Sequence, residues 1–341
     1  MTRLLQAMAG QHHGGAEAFF ERLAIGLARA GEVQRLLIRR DAERAARLSR
    51  AGLAPIELAF GGRLDFATPR LFRQAVAEFR PDVALTWMSR ATASCPRGDF
   101  VHVARLGGYY DLKYYRRCDH LIGNTRDIVA YVRRAGWPAG RVHYLPNFVA
   151  DERAPPVPRA SLATPADAPL ALAMGRLHPN KGFDVLLAAV AALPRLHLWL
   201  AGEGEERQAL ERQAQELGIA ARVHFLGWRE DAAALLAAAD VLVSSSRHEP
   251  LGNVVIEAWA AGVPVVATAS EGPRALIREG ETGLLVPIDD APTLARAMAN
   301  LTTDAELRRG IAAAARAAYE AEFGAARVIA LYREFLAQVR R

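Results

Sequence analysis

Short apolar runs alternate with helical patterns along most of this chain. In the first half, strand-like runs occur at residues 4–8, 33–38, 56–60, 83–87, 101–104 and 142–145, and amphipathic stretches at residues 16–30, 69–79 and 126–134. The runs are apolar throughout, so a strand built from one of them has no face suited to water. This alternation predicts an α/β protein in which helices cover both faces of a doubly wound, Rossmann-like parallel sheet.

A proline-rich stretch interrupts the alternation in mid-chain. The prolines cannot continue a helix or a central strand, and they stand at Pro155, Pro156, Pro158, Pro165 and Pro169. Beyond them, strand-like runs return at residues 170–174, 196–201, 223–226, 241–244 and 263–268, with helical patterns between them. We therefore predict a first domain at residues 1–150, a linker at 151–167 and a second domain at 168–321.

The end of the chain is purely helical from Thr293 onward. A tail of this kind has no strand of its own to cover. It can pack on the second domain or return to the first, and the pattern alone leaves both arrangements open.

Composition narrows the class of protein. The 341 residues are 51% hydrophobic and 23% charged, which suits two packed domains and excludes a disordered chain. Cys95 and Cys118 are the only cysteines, too few for a disulfide framework or a four-cysteine zinc site. No apolar run is long enough to span a membrane and no signal peptide is recognisable. These features predict a soluble, cytoplasmic protein.

Charge is divided unevenly between the halves. Residues 1–150 carry 23 Lys and Arg against 13 Asp and Glu, whereas residues 151–341 carry 20 against 24. A basic first half suggests contact with a polyanion or an anionic membrane surface. An arginine-rich solvated surface explains the same numbers, because Lys113 and Lys181 are the only lysines.

The most informative segment covers residues 247–258 and follows a strand-like run. Pro250 and Gly252 keep the backbone out of a helix there, and Asn253 is a suitable N-cap for the apolar run that follows. Glu249 is therefore expected on a loop at the carboxyl end of a strand, where open α/β sheets bind ligands.

Glu257 lies further along the same segment, in the first turn of the expected helix. It is the only charged residue between Val254 and Ala269, and a carboxylate in apolar surroundings needs hydrogen-bond donors. Vicinal sugar hydroxyls would supply them. A glutamate favoured by the helix dipole is the structural alternative.

A second segment, residues 175–182, joins a strand-like run to a helical stretch. Gly175 and Gly182 permit a tight turn, and the cations Arg176 and Lys181 bracket it. Two cations near a helix start can hold a diphosphate, although a structural loop with solvated cations has the same pattern. It is not a P-loop, because the Gly-Lys-Ser/Thr ending is absent.

Gly202 and Gly204 lie in a further strand-to-helix turn. Position 207 is Arg where a dinucleotide fingerprint needs glycine, and three acidic residues in the turn would repel a pyrophosphate. We interpret these glycines as points of close backbone approach and reject a nicotinamide site. Leu226 and Gly227 end a strand in a way that suits either a slot for a base or a packed core.

A glycine- and histidine-rich loop precedes the first helical stretch. Gly14 and Gly15 leave backbone amides free at a helix N-terminus, which suits an anion or the face of a sugar. His12 and His13 are adjacent, so their side chains diverge, and the absence of an evident third ligand disfavours a metal. His102, in an apolar run, could face a ligand or serve the core.

The motifs of the second half occur together in one known family. They are Gly175-Arg176 with Lys181-Gly182, Glu249 with Glu257, and Gly262-Val263-Pro264-Val265-Val266. With them the chain resembles, over nearly its whole length, the retaining GT-B glycosyltransferases of family 4. This resemblance implies two Rossmann-like domains facing across a cleft, with the last helix crossing back to the first domain.

The resemblance also implies roles for individual residues. Arg176 and Lys181 would neutralise the leaving diphosphate, Glu249 would contact sugar hydroxyls, and His102 would be catalytic. The implied donor-binding residues, which surround the nucleotide-sugar, are Gly14, Gly15, Gly175, Gly202, Leu226, Gly252, Asn253, Val254 and Glu257.

The implied reaction moves a hexosyl or N-acetylhexosaminyl group from a nucleotide-diphosphate-sugar, most simply a UDP-sugar, with retention at the anomeric carbon. No Asp-x-Asp motif is present, so we expect no metal and no other cofactor. The sequence as a whole resembles bacterial enzymes that act on lipopolysaccharide or other envelope glycans. The expected acceptor is therefore an envelope glycan or glycolipid such as the lipopolysaccharide core.

Such an acceptor implies a peripheral location on the inner face of the cytoplasmic membrane. The acceptor-side residues expected to contact anionic lipid are Arg105, Lys113, Arg116 and Arg117, near an aromatic-basic run at residues 109–117. We expect no nucleic-acid partner, because no RNA- or DNA-binding motif accompanies this run.

Three other functions are weighed against transfer. An epimerase of the same architecture would release nucleotide without an acceptor. A phosphorylase would need a lysine for pyridoxal phosphate, and Lys181 is already assigned to the phosphate. A nucleic-acid-binding module is the less favoured third alternative.

Overall fold

The computed structural model describes residues 2–12, 14–61, 64–149 and 154–340. The chain forms two compact units, the first of Met1–Phe148 with Ala325–Arg341 and the second of Val149–Gly324. Each unit contains one parallel sheet with helices around it, which confirms the predicted α/β class.

The first unit contains seven strands. They are β1 (Arg3–Met8), β2 (Val33–Arg39), β3 (Ile56–Leu58), β4 (Val83–Trp87), β5 (Val101–Leu106), β6 (His120–Gly123) and β7 (Val142–Tyr144). Their spatial order is β3-β2-β1-β4-β5-β6-β7, and every pair is parallel. The central strands β4 and β5 are buried along their full length, as their apolar sequences require.

Five helices of the first unit follow these strands. They are α1 (Gly15–Arg29), α2 (Ala42–Arg50), α3 (Ala67–Phe79), α4 (Met88–Ser94) and α5 (Arg126–Arg134). Side chains cap two of them, because Asp41 accepts from the backbone N of Arg44 at 3.0 Å and Thr125 from that of Ile128 at 3.1 Å. Helices α2 and α4 and strand β6 were not predicted, because their short or polar segments lack a clear apolar period.

The second unit contains six parallel strands in the order β10-β9-β8-β11-β12-β13. They are β8 (Leu170–Met174), β9 (His197–Ala201), β10 (Val223–Gly227), β11 (Val241–Ser244), β12 (Val265–Thr268) and β13 (Leu284–Val286). Its helices are α6 (Phe183–Ala191), α7 (Arg207–Glu216), α8 (Ala232–Ala238), α9 (Asn253–Ala261), α10 (Glu271–Leu276), α11 (Ala291–Thr303) and α12 (Ala305–Ala318).

The proline-rich segment predicted as a linker at 151–167 is described from Ala154 onward, and there it packs on the second unit. The backbone N of Val157 donates to the carbonyl O of Ala234 at 3.1 Å. Trp199 Nε1 donates to Thr164 Oγ1 at 2.9 Å. Proline density excluded helix and strand here, but it did not prevent side chains and backbone from docking on a neighbouring surface.

The last helix, α13 (Ala325–Val339), returns to the first unit and packs on α1, as the resemblance implied. Its buried face carries Val328, Tyr332, Phe335 and Leu336. A Cβ atom on Gly26 of α1 would lie 2.6 Å from Ile329 Cδ1, so glycine allows the two helices to approach closely.

Strand order locates the expected binding edge in each unit. In the first unit the order reverses between β1 and β4, and in the second between β8 and β11. Open α/β sheets bind ligands at the carboxyl ends of the strands beside such a reversal. The loops that follow β1, β8 and β11 contain the motifs singled out in the sequence.

Candidate functional site

The loop after β8 carries the two predicted phosphate-binding cations. Gly175 opens it with φ of 151°, a backbone conformation that other residues rarely adopt. A Cβ atom there would lie 3.2 Å from Cε of Lys181, so the lysine stem folds back over the glycine. His178 Nδ1 accepts from the backbone N of Asn180 at 3.1 Å and closes the turn before α6.

Hydrogen bonds join this loop to the loop after β11. The backbone of Gly182 passes so close to Ser245 that a Cβ atom would lie 2.2 Å from the Ser245 carbonyl O. Ser245 Oγ donates to the carbonyl O of Lys181 at 2.8 Å. The backbone N of Arg247 donates to the carbonyl O of Asn180, also at 2.8 Å. The two loops form one hydrogen-bonded platform at the carboxyl edge of the sheet.

Lys181 and Glu249 meet on this platform. The Lys181 ammonium forms an ion pair with Glu249 Oε2, and the side chains are 23% and 14% exposed. The backbone N of Gly252 donates to Glu249 Oε1 at 3.2 Å. Two residues 68 apart in the chain are thus in direct contact. A phosphate can compete for the ammonium, and sugar hydroxyls can compete for the carboxylate.

Arg176 supplies an uncommitted cation in the same loop. Its side chain is exposed, and in the described part of the chain it makes no hydrogen bond or ion pair. A unit charge about 4 Å from a phosphate gains roughly 4 kcal/mol before desolvation at an effective dielectric of 20. Arg176 can therefore bind an anion without first breaking an internal contact.

Arg247, which the sequence analysis did not single out, holds the platform to its surroundings. Its guanidinium donates to both carboxylate oxygens of Asp184, at 2.9 and 2.6 Å, and to Asp289 Oδ1 at 2.7 Å. The hydrogen bonds with Asp184 raise the pKa of Arg247 above its ordinary value. No local pattern could reveal this role, because the partners lie 63 and 42 residues away.

Glu271, at the start of α10, supports Glu249 through the main chain. Glu271 Oε2 accepts from the backbone N of Glu249 at 3.3 Å, and Oε1 forms a hydrogen bond of 2.9 Å with His248 Nδ1. Burial raises the pKa of Glu271, but hydrogen bonds from the backbone and His248 outweigh it and hold the pKa below its ordinary value. The carbonyl O of Glu249 accepts from the backbone N of Gly272 at 2.6 Å.

Helix α9 begins one residue earlier than the N-cap prediction implied. Gly252 is the N-cap, with φ of 80°, and Asn253 is the first helical residue. The left-handed turn at Gly252 allows its amide to reach the Glu249 carboxylate. Glu257 consequently lies in the second turn of the helix, one turn beyond Asn253. Asn253, Val254 and Glu257 are all half-buried.

The glycines after β9 are points of close approach, as predicted. A Cβ atom on Gly202 would lie 1.8 Å from the Gly175 carbonyl O, and one on Gly204 would lie 2.2 Å from that of Leu177. These contacts press the loop after β9 against the loop after β8. A donor contact of Gly202 remains a prediction.

Leu226 is half-buried near the end of β10. The next residue, Gly227, follows a shift in the pairing of β10 with β9, and its carbonyl O accepts from the backbone N of Gly202 at 2.8 Å. The irregular strand end brings Leu226 near the binding edge, and its contact with a base remains a prediction.

In the first unit, the loop after β1 is occupied by a carboxylate from α1, the helix that follows it. Glu17 is buried, and its Oε1 accepts from the backbone N of Gln11 at 2.9 Å. Cβ atoms on Gly10 and Gly14 would each lie 2.3 Å from a Glu17 carboxylate oxygen. A buried carboxylate beside Gly14 and Gly15 repels an anion but accepts hydroxyl donors. Of the two ligands considered for this loop, the structure favours the face of a sugar.

Arg44, missed in the sequence, holds this loop from behind. Its side chain is fully buried and donates to the carbonyl oxygens of Gln11, at 2.5 Å, and His12, at 3.0 Å. The same guanidinium lies 3.1 Å from Glu21 Oε1 and 3.2 Å from Asp41 Oδ2. The planar guanidinium thus contacts two carboxylates and two carbonyls at once.

His102 is buried within β5 and serves the core, the structural alternative considered for it. Its Nε2 lies 3.0 Å from Thr86 Oγ1 and 3.9 Å from Cys118 Sγ. Burial lowers the pKa of His102 to about 4. Burial and these contacts favour the structural alternative, and the catalytic role implied by the resemblance stays a prediction.

Arg105 also lies in the core, not on an acceptor-facing surface. It is 3% exposed, and its guanidinium stacks 4.8 Å from the ring of Phe19 and 4.8 Å from that of Trp87. It donates to Asn147 Oδ1, and burial lowers the pKa of Arg105. Its place at the end of an apolar strand, between two aromatic side chains, explains why a basic residue is inside.

The other three predicted acceptor-side residues are exposed. Lys113 is ion-paired with Asp111 at 2.6 Å. The Arg117 guanidinium lies 3.4 Å from the carbonyl O of Cys95, and Arg116 makes no contact of this kind within the described residues. These three exposed side chains can contact an anionic surface, whereas the buried Arg105 cannot.

Neither a metal cluster nor a membrane span emerges from the described residues. No three His, Cys, Asp or Glu side chains converge there to hold a metal ion. His12 Nδ1 lies 3.3 Å from Asp41 Oδ2, while His13 falls outside the described residues. None of the helices described is long and apolar enough to cross a bilayer.

Two family models match the chain. Residues 13–153 match Glycosyltransferase Family 4, and residues 157–318 match Glycosyl transferases group 1. The second match covers the whole platform around Lys181 and Glu249.

Two relatives from Rhizobium meliloti are similar over most of their length. The lipopolysaccharide core biosynthesis glycosyltransferase LpsE is 40% identical over 95% of this chain and 96% of its own. The corresponding protein LpsD is 38% identical over 88% of each chain.

A solved structure shares the fold. HepE from Anabaena, crystallised in complex with UDP-glucose, superposes with a TM-score of 0.87 over 99% of this chain and 100% of its own. Its sequence is 22% identical, so this match concerns the fold alone.

Proposed function

We propose that this chain, which belongs to the group 1 and family 4 glycosyltransferases, transfers a sugar from a UDP-sugar to a hydroxyl of an envelope glycan or glycolipid. The proposed acceptor class is the lipopolysaccharide core, which the names of LpsE and LpsD support. The donor class is supported by the UDP-glucose in the HepE crystals.

One observation carries the proposal: Lys181 contacts Glu249, and Arg176 in the same loop has no partner among the described residues. A nucleotide-sugar presents a diphosphate and a polyol side by side, and this site presents cations and a carboxylate side by side. The diphosphate would engage Arg176 and Lys181, and the hydroxyls would engage Glu249. Glu257 and Asn253, one turn apart on α9, would then face the ribose.

The proposed chemistry is transfer with retention at the anomeric carbon. Negative charge accumulates on the leaving phosphate as the glycosidic bond breaks, and preorganised cations stabilise that charge most when it is fully developed. The hydrogen-bonded platform supplies this preorganisation, because Ser245 binds the backbone carbonyl of Lys181 and Glu249 binds its ammonium.

We further propose that turnover needs no divalent metal. Arg176 and Lys181 supply two positive charges where a metal ion would otherwise sit against the diphosphate. The transferred group is proposed to be a hexosyl or N-acetylhexosaminyl residue. The acceptor is proposed to be presented at the inner face of the cytoplasmic membrane, with the protein bound there peripherally.

The experiment is a transfer reaction followed by proton NMR in the presence of EDTA. A thermal-shift panel of UDP-, GDP- and ADP-sugars first selects the donor, because a ligand at about 100 times its Kd adds about 2.7 kcal/mol of stability. With that donor and a truncated core oligosaccharide, we expect a product whose new anomeric bond has the configuration of the donor.

The outcomes separate the parts of the proposal. Nucleotide release without acceptor modification would indicate an epimerase and overturn transfer. An inverted anomeric proton would overturn retention. Activity lost in EDTA and restored only by Mn²⁺ or Mg²⁺ would overturn metal independence.

A further inference from the structure

The aromatic-basic run at residues 109–117 has no part in the proposed donor site. The run follows β5, helix α5 follows β6, and these two strands are neighbours in the sheet, with Leu106 opposite Gly123. The start of the run and the first turns of α5 therefore meet at the carboxyl edge of the first sheet. Open α/β sheets bind their ligands at this edge.

Three contacts hold the start of the run on α5. The Tyr109 hydroxyl donates to Asp127 Oδ2, and the Tyr109 ring meets the Tyr131 ring at 83° with centroids 5.4 Å apart. The Tyr131 hydroxyl donates to the carbonyl O of Tyr110 at 2.8 Å. Asp127 and Tyr131 are one helical turn apart on α5, so they lie on the same side of the helix and fix the Tyr109 ring together.

The fixed Tyr109 ring still presents a surface to solvent. It is 36% exposed, although its hydroxyl and its contact with Tyr131 are engaged. Asp127 is also exposed, and its second oxygen, Oδ1, accepts no hydrogen bond from the described residues. An immobilised aromatic ring beside a carboxylate with a free acceptor suits a sugar. The C–H face of a pyranose packs on the aromatic ring, and its hydroxyls donate to the carboxylate.

Tyr110 connects this surface with the loop after β1. Burial raises the pKa of Tyr110, the nearby Arg105 lowers it, and the nearby carboxylate of Glu17 raises it. Glu17 is the buried acid of the loop for which the structure favours the face of a sugar. The two loops therefore offer hydroxyl acceptors near one another at the same edge of the first unit's sheet.

The charges in the two loops favour a polyol over a nucleic acid. Bases of a single strand would also stack on tyrosine, but their phosphates would approach the exposed carboxylates of Asp111 and Asp127. Lys113 does not offset both, because it is ion-paired with Asp111 at 2.6 Å. Tyr114 is more exposed than Tyr109, at 49%, but the Lys113 ammonium lies over its ring, 4.9 Å from the centroid.

We propose that Tyr109 and Asp127, here called the α5 ledge, bind one pyranose ring of the glycan acceptor. The C–H face of that ring lies on Tyr109, and hydroxyls at its edge donate to Asp127 Oδ1. The ledge thereby selects acceptors whose ring has one face free of axial hydroxyls. The inference rests on the proposed function only in taking the bound glycan as the acceptor, since the residues proposed for the diphosphate lie in the second unit.

The test uses the full chain and a lipopolysaccharide core oligosaccharide freed of lipid and phosphate. Steady-state kinetics at saturating UDP-sugar give the KM for the oligosaccharide, and saturation-transfer difference NMR without donor gives its Kd. We expect Tyr109→Ala to raise both constants about tenfold, because one well-packed aromatic contact is lost. The KM for the UDP-sugar and kcat should stay unchanged, since the ledge binds the acceptor and leaves the reacting phosphate untouched.

Further variants separate the ring from the carboxylate. Tyr109→Phe keeps the ring and loses only the hydrogen bond to Asp127, so it should raise the acceptor KM by less than about threefold. Asp127→Ala removes the hydroxyl acceptor and should raise it about tenfold. Tyr114→Ala, a more exposed tyrosine of the same run, is the matched control and should leave it unchanged. Thermal melting of every variant shows that it is folded.

Several results would overturn the α5 ledge. Unchanged acceptor constants in Tyr109→Ala and Asp127→Ala would do so, as would an equal rise in Tyr114→Ala, or a wild type that does not bind the oligosaccharide at millimolar concentration. A rise in the KM for the UDP-sugar alone would assign the ring to the donor. Retention of polyuridine by the wild type and its loss in Tyr109→Ala would assign the ring to a nucleic acid.

The same measurements separate this inference from the proposed function. If the wild type transfers sugar and Tyr109→Ala and Asp127→Ala do so with wild-type constants, the ledge fails and the function stands. If the wild type transfers no sugar but binds the oligosaccharide in a way that depends on Tyr109, the proposed function fails and the ledge stands as a glycan-binding site.

Discussion

The two units place their charged side chains differently at the carboxyl edges of their sheets. In the second unit, Lys181, Glu249 and Arg247 lie on loops between strands and helices and pair with one another or with nearby acids at partly exposed positions. In the first unit, Arg44 and Arg105 are buried below the edge, against carbonyls, carboxylates and aromatic rings.

This difference teaches where a charge can serve a ligand. A loop between strand and helix leaves the head of a side chain free to exchange an internal partner for an external one, as the Lys181–Glu249 pair can. A charged group inside the fold is bound by other groups of the fold. Removing one partner of a buried ion pair strongly lowers the free energy of unfolding. We therefore expect changes in the first unit's buried charges to affect stability, and changes in the second unit's loop charges to affect turnover.

The largest effect is expected from Arg44→Met. The substitution leaves the carboxylates of Glu21 and Asp41 and the carbonyls of Gln11 and His12 without the guanidinium that binds them. Breaking a buried ionic cluster in this way costs about 3–5 kcal/mol. Peptide-resolved hydrogen exchange should report this loss in β1, α1 and α2, with peptides of the second unit unchanged.

Two variants sharpen that experiment. Arg40→Met removes an exposed arginine next to the cap of α2 and should change the local free energy of unfolding by less than about 0.5 kcal/mol. Arg44→Lys keeps the charge but loses the planar fork and should recover only part of the loss. An equal loss of local unfolding free energy in both units would contradict the expectation that Arg44 stabilises the first unit alone.

The second prediction concerns Arg176→Ala. Because Arg176 is exposed and unpaired within the described chain, its removal should change the free energy of unfolding by less than about 0.5 kcal/mol. Loss of one preorganised contact to a charge that develops in the transition state should lower kcat by about 10²–10³-fold. Steady-state kinetics and thermal melting of the same preparation measure both.

Arg212→Ala, another exposed arginine of the second unit, is the control and should leave kcat unchanged. A fall in Tm that parallels the fall in kcat would show that Arg176 is structural. An unchanged kcat would remove Arg176 from the donor site.

These contrasts also explain what the sequence could reveal. The strand-loop-helix alternation identified the fold, and the loops after β8 and β11 were found because glycines, prolines and charges interrupt apolar runs there. Family resemblance assigned Lys181 and Glu249 to one donor site, but it did not predict their ion pair, and local spacing cannot join residues 68 apart. Arg247 escaped notice for the same reason, as its partners are equally remote.

In the first unit, the sequence did not reveal which way a polar side chain inside a strand points. His102 and Arg105 lie on β5, where alternation gives no sign of whether a polar side chain faces a ligand or the interior. The partners that satisfy them, Thr86 for His102 and the rings of Phe19 and Trp87 for Arg105, come from other elements. Only tertiary structure distinguishes a core polar residue from a catalytic one.

The smallest predicted effect tests His102 as a core residue through pH. Burial holds its pKa at about 4 in the folded protein, against an ordinary value of 6.5, so the unfolded chain binds the proton more readily. Its contribution to stability is complete above pH 6.5 and is lost as the pH falls toward 4. Between pH 7.5 and pH 5 the loss is about 2 kcal/mol. His102→Gln keeps a hydrogen-bonding group beside Thr86 but cannot titrate.

The unfolding free energy of β4 and β5 peptides in the His102→Gln variant should therefore fall less steeply with acid than in the wild type, whatever its absolute value. Identical slopes for wild type and His102→Gln would mean that the imidazole is protonated or solvated in the folded state. That outcome would favour His102 as a reacting group in the first unit, and the contrast between the two units would no longer hold.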